Sequence, residues 1–238
     1  MRQTIISALL LALTMVAKAQ TIAPQAEYSD NGTPATMNPG DNYKGPAPLT
    51  VTFHANPECD DTWTVNYEWR FTLEGQDEPY LIRYDKDTEY TFVTAGAHHI
   101  VCYVIFTRGD EREEYTEEYW NSADASPFNI SIEESDLIMP NAFTPNGDGH
   151  NEVYHAKSYK SLVEFRAIIF NRWGTKIYEW NDPAGGWNGK YKGKDMPQGV
   201  YFVYVRARGA DGRVYNIKKD VNLLRGFSNI TSSSSTDE

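Results

Sequence analysis

Four side chains with ligand atoms stand at alternate positions within residues 146–152: Asn146, Asp148, His150 and Glu152. The spacing suits a calcium loop, but calcium commonly takes six to eight oxygen ligands, several of them from Asp. Asp148 and Glu152 supply the only charges here and His150 is a poor calcium ligand. A turn held by Asx hydrogen bonds therefore competes with calcium at Asn146, Asp148 and Glu152. His98-His99 cannot easily share one metal, because neighbours on a strand point to opposite faces. Arg108-Gly109-Asp110 spells an adhesion tripeptide and equally fills a hairpin turn that wants glycine. No Ser/His/Asp arrangement, paired-carboxylate motif or metal spacing stands out, so no enzyme and no cofactor beyond that calcium candidate are expected.

The elements that must carry these residues begin after a targeting segment. Residues 1–19 hold one early cation, Arg2, then the apolar run Ile5 to Leu13, then Ala17-Lys18-Ala19. That pattern predicts a secretory signal peptide, too short to span a membrane. Export makes the only two cysteines, Cys59 and Cys102, candidates for a disulfide, with two buried thiols as the alternative. Such a bridge would stabilise the fold by roughly 3–4 kcal/mol. Gly, Pro and Tyr are frequent and no long helical periodicity appears, which predicts an all-β chain.

Charge divides the chain. Residues 20–136 carry 6 Lys and Arg against 23 Asp and Glu, a balance of −17. Residues 137–226 carry 14 against 8, a balance of +6. The acidic total argues against nucleic acid as a partner. The basic half suits anionic machinery or lipopolysaccharide, and a plain solvated acidic domain remains the alternative reading of the front half. Residues 227–238 end in a Ser/Thr run that predicts a disordered tail.

In residues 20–136, Leu49-Thr50-Val51-Thr52-Phe53 and Tyr67-Glu68-Trp69-Arg70-Phe71 alternate apolar and polar, and Ile100 to Phe106 is a long apolar strand. Short strands at this spacing around a buried Trp69 predict an immunoglobulin-like sandwich. Ala47-Pro48-Leu49-Thr50-Val51-Thr52-Phe53, Tyr67-Glu68-Trp69 and Tyr90-Thr91-Phe92 resemble the PKD family, departing from it at Arg70-Phe71-Thr72-Leu73. That resemblance implies spacing or protein contact. Glu111 to Trp120 reads as a strand guarded by charge against edge pairing. Its Tyr119 and Trp120 are the candidates for an adhesin or glycan-binding surface.

Residues 137–226 predict a second small sandwich of about seven strands. Pro140-Asn141-Ala142-Phe143-Thr144-Pro145-Asn146-Gly147-Asp148-Gly149 opens it, followed by Asn171-Arg172-Trp173-Gly174, Trp187-Asn188-Gly189 and Gly199-Val200-Tyr201. In that order these four signatures resemble the gliding-motility-associated C-terminal domain of Bacteroidetes proteins, the type B sorting domain of the type IX secretion system. The resemblance makes Pro140, Asn141, Phe143, Thr144, Pro145, Asn146, Gly147, Asp148, Gly149, Asn171, Arg172, Trp173, Gly174, Trp187, Gly189, Gly199 and Tyr201 the sorting-motif residues. It implies passage through the periplasm to the outer membrane or cell surface, with the type IX machinery as partner. Surface lipopolysaccharide or an envelope signalling partner would follow. With its small front half the chain is similar overall to short PorA-like proteins.

Overall fold

The computed structural model describes residues 20–30, 32–123 and 125–226; the expected signal peptide, 1–19, and tail, 227–238, lie outside the described residues. The chain is all-β, with Glu117–Trp120 as its one short helix among the described residues. The strands gather around two hydrophobic cores, one centred in each half of the chain, with Ala210 and Val163 of the second half packing on the first core.

The first half is a sandwich of two sheets. One sheet orders the strands Thr33–Met37, Gln25–Asp30, Leu49–His54 and Asp87–Phe92. The other orders Asn42–Gly45, Phe128–Ile132, Gly96–Arg108, Thr64–Leu73 and Leu81–Arg83, with Glu111–Tyr115 hairpinned onto Gly96–Arg108. Alternation decides what each sheet buries: Leu49, Val51 and Phe53 point inward from one, and Ile100, Cys102, Val104 and Phe106 from the other. Phe53 reaches across to Trp69, Phe71 and Phe128, each 5.5 Å away by ring centroid.

The second half is lopsided. Five strands, Ala142–Phe143, Val214–Leu223, Gly199–Gly209, Leu162–Phe170 and Lys176–Trp180, form its one broad sheet. Its inner face carries Phe165, Ala167, Ile169, Tyr201, Val203, Val205 and Val221. The covering layer is the ribbon Asp136–Ile138 with Ser158–Lys160, the hairpin Lys190–Tyr191 with Lys194–Asp195, and loops that insert Tyr154 and Trp187. The outer face keeps Val200 and Phe202 each 43% exposed. In both halves a short early strand pairs in parallel with the last strand: Asn42–Gly45 with Phe128–Ile132, and Ala142–Phe143 with Val214–Leu223.

Two expectations need correction. The Cys59–Cys102 bridge is not formed; both are free thiols. Cys102 faces inward opposite Trp69, and burial pushes its thiol well above the ordinary range. That suppresses the thiolate which disulfide exchange needs. The acidic stretch 111–120 is not one strand, since it pairs only through Tyr115 and then turns into the helix Glu117–Trp120. The turn swings Trp120 into the core, 7% exposed, where its Nε1–H donates to Cys102 O at 2.9 Å.

Candidate functional site

The sorting-motif residues fall into a buried set that builds the second sandwich and an exposed set that it presents. Pro140 and Pro145 hold the chain extended on either side of Ala142–Phe143, which joins the sheet edge. Asn141 O accepts from Asn222 N–H at 2.9 Å, and Phe143 O from Leu224 N–H at 3.1 Å. Phe143 is buried against Trp187 (5.3 Å) and Tyr154 (5.8 Å), and Trp187 lies 4.9 Å from Tyr201. Each of the polar aromatics also closes a loop. Tyr154 Oη donates to Pro140 O (3.0 Å), Trp187 Nε1 to Lys190 O (2.8 Å) and Tyr201 Oη to Pro197 O (2.8 Å). Tyr154 and Trp187 exchange both backbone hydrogen bonds, at 2.8 and 3.0 Å. A Cβ at Gly186 would strike Tyr154 O and Val153, so only glycine lets these two loops approach.

Arg225 locks the loops together. Its guanidinium donates to three carbonyls, Pro145 O (2.8 Å) of the opening motif and Gly189 O (2.9 Å) and Met196 O (3.1 Å) at the base of one hairpin. It joins the opening motif to the Trp187-Asn188-Gly189 motif, and nothing in the residues around position 225 announces this. The five donors of a planar guanidinium suit such a multiple contact, which a lysine could not reproduce.

The polar loop 146–152 spends its oxygens on its own backbone. Asn146 Oδ1 accepts from Asp148 N–H (3.0 Å), and Asp148 Oδ1 from His150 N–H (2.8 Å). Glu152 Oε1 accepts from Gly147 N–H (2.7 Å) and Gly149 N–H (3.2 Å). Asx turns account for Asn146 and Asp148, and the Glu152 carboxylate satisfies the two glycine N–H groups. Among the described residues no group of three or more His, Cys, Asp or Glu is arranged to hold a metal ion.

The exposed aromatic of the set is Trp173. The hairpin between Leu162–Phe170 and Lys176–Trp180 is closed by Asn171 Oδ1, which accepts from Trp173 N–H (3.0 Å) and Thr175 N–H (2.9 Å). The indole at its tip is 80% exposed, with the Arg172 guanidinium 5.6 Å over its ring. Beside it lies the open face of the sheet, where Phe202 stands opposite Phe170 and Tyr204 opposite Ile168, with Lys218 Nζ 5.6 Å over the Tyr204 ring. Around that stripe, hydrogen bonds and ion pairs with Lys176 and Arg166 hold the Glu179 carboxyl below its ordinary range. Arg208 does the same for Glu164. Apolar rings among cations can dock a partner.

In the first sandwich, the candidate residues are occupied internally. Arg108 donates to Glu111 (2.7 Å) and stacks 4.4 Å over Trp63, leaving Gly109 as the turn. His98 points inward and His99 outward. His98 Nε2–H donates to Thr94 O (2.9 Å) and Nδ1 lies 3.0 Å from Tyr80 Oη; burial lowers its pKa. The buried Trp120 is unavailable as a glycan platform.

No curated protein matches the chain. Among solved structures, the chain is similar to the three N-terminal domains of the bacteriophage RB49 Highly Immunogenic Outer Capsid protein (Hoc), with 14% identity and a TM-score of 0.30. That match covers 86% of this chain and 59% of that one. Among the described residues no helix is long and apolar enough to cross a membrane. Residues 137–223, the segment that holds all four signatures, match the CHU_C type IX secretion signal domain, a domain that implies contact with the type IX machinery and export to the outer membrane or cell surface.

Proposed function

We propose that this chain is a non-enzymatic, exported cell-envelope protein whose second sandwich is read by the type IX machinery at the Arg172–Trp173 hairpin tip and the adjoining sheet face. The observation that carries the reading is Trp173, 80% exposed within a matched signal domain. A tryptophan that stabilises no core is best accounted for by a partner that covers it, and Trp with Arg is the pairing enriched at interaction hot spots. The first sandwich, which we take as PKD-like, serves protein contact, with a place in secretion- or gliding-related envelope signalling. The +6 balance of residues 137–226 favours an anionic surface such as lipopolysaccharide as the neighbour of the exported domain.

The test is export of the full chain from a type IX-competent host. Trp173→Ala is expected to leave thermal unfolding unchanged while the surface fraction falls and periplasmic protein rises. Export of Trp173→Ala at the unmodified level would remove the hairpin from the recognition surface.

A further inference from the structure

The two sandwiches are joined by very little chain. The strand Phe128–Ile132 ends the first and Asp136–Ile138 opens the second, leaving Glu133, Glu134 and Ser135 between them. Glu133 and Ser135 are bound, while Glu134 is exposed. Glu133 N–H donates to Gly45 O (2.9 Å), and its carboxylate lies 3.5 Å from Lys160 Nζ. Ser135 is 4% exposed. Its Oγ donates to Asp211 Oδ1 (2.7 Å), its N–H faces Asp211 Oδ2 (3.3 Å), and Tyr215 Oη lies 2.9 Å from the same Oγ.

The seam continues on either side of the connection. Ala47 N–H, from the first sandwich, donates to the buried Ser161 Oγ of the second at 3.1 Å. Ala95 N–H donates to Ala210 O (3.0 Å), and Ala210 N–H to Ser161 O (2.9 Å). The Ala210 side chain is part of the first core, and Val163 packs against that core as well. At Gly209 a Cβ would strike Ser135 Oγ and Asp211 Oδ1, so the turn of the second sandwich is built to fit against the connection.

We infer that this seam is a latch that withholds the connection from proteolysis, so that the signal domain stays on the exported chain as a permanent half of it. The inference rests on the sorting reading only for what the second half is, and the physical reason is independent of it. A protease must take its substrate segment free of other hydrogen bonds, and such segments are the exposed, weakly bonded ones. Here cleavage after Glu133 or Glu134 requires Ser135 to leave Asp211 and Tyr215 first. The cut rate then follows the population of the opened form.

The experiment is limited digestion of the purified full chain with a glutamate-specific endoprotease, read by intact mass. Cleavage after Glu133 and Glu134 is expected about tenfold faster in Gly209→Ala and Asp211→Ala than in the unmodified chain. The extra cuts should be confined to 133–134, whereas an unfolded second sandwich would also be cut after Glu152, Glu164 and Glu179. Should either variant unfold in that way, the same comparison is read on Ser135→Ala, which removes only the hydroxyl. Equal cutting of the unmodified and latch variants at 133–134 overturns the inference, as does cutting of the unmodified chain at the rate of its urea-unfolded form. In a type IX host, surface-recovered chain should retain residues 137–226. Absence of export there would count against the sorting reading and leave the digestion result standing.

Discussion

Phe53 sits at the centre of the first sandwich within 5.5 Å of three rings from the opposite sheet, and no polar group is needed to hold it. Trp187, its counterpart in the second sandwich, lies in a layer that is mostly loop, and it is held by hydrogen bonds as much as by packing. The first half closes its core by laying one sheet on another. The second half has one broad sheet and closes over it with two short ribbons and with loops tied by Tyr154, Trp187, Tyr201 and Arg225. Apolar burial accepts many side chains of suitable volume, whereas carbonyl-directed hydrogen bonds accept few. That is why the second half reads in the sequence as fixed short signatures, and the first as mere alternation.

The largest test of this contrast is Trp187→Ala. It removes a fully buried indole from a layer that cannot collapse around the gap, and should destabilise the second sandwich by about 3–5 kcal/mol in denaturant unfolding. Next is Arg225→Ala, which leaves three loop carbonyls without their shared donor. Hydrogen bonds to charged groups are worth about 1.5–3 kcal/mol, and a loss in that range is expected from the same measurement. Arg225→Lys should recover little of it, because an ammonium lacks the planar fork that reaches all three carbonyls. A full recovery by lysine would mean that charge alone, and not the planar fork, closes the layer.

Acid should act at the seam and spare the purely apolar core. Burial alone would raise the Asp211 carboxyl, but hydrogen bonds from Ser135 and from the Arg213 N–H, with the Arg213 guanidinium nearby, hold it below its ordinary value. A depressed folded-state pKa contributes stability that is complete above the unfolded value near 3.9 and lost as pH falls through the folded one. The stability gap between the unmodified chain and Asp211→Asn should therefore stay constant down to about pH 4 and close below it. A gap that widened with acid would contradict the assignment. The smallest stability effect belongs to Trp173→Ala, under about 0.5 kcal/mol, since its indole is exposed and packs into neither core.

How much of this was legible follows from the range of the interactions. Alternation placed Leu49, Val51, Phe53 and Trp69 in the first core, because a strand's side-chain period is local. The turn chemistry of Asn146 and Asp148 was equally local, and the structure bears out neighbouring Asx bonds there. Trp120 was misplaced because a four-residue helix leaves no periodic trace within an acidic run. Arg225 and Pro145 are 80 residues apart, and Ser135 and Asp211 are 76 apart. No pattern in a single sequence couples positions at such distances, so the clamp and the latch emerge only from the fold.

The central claim is that the second sandwich directs this chain through the type IX system. Its most direct test is to follow the unaltered full chain in a type IX-competent cell and in the same cell with the translocon disabled. Surface-located chain in the first and periplasmic accumulation in the second is the expected result. Arrival at the surface in both cells would contradict it.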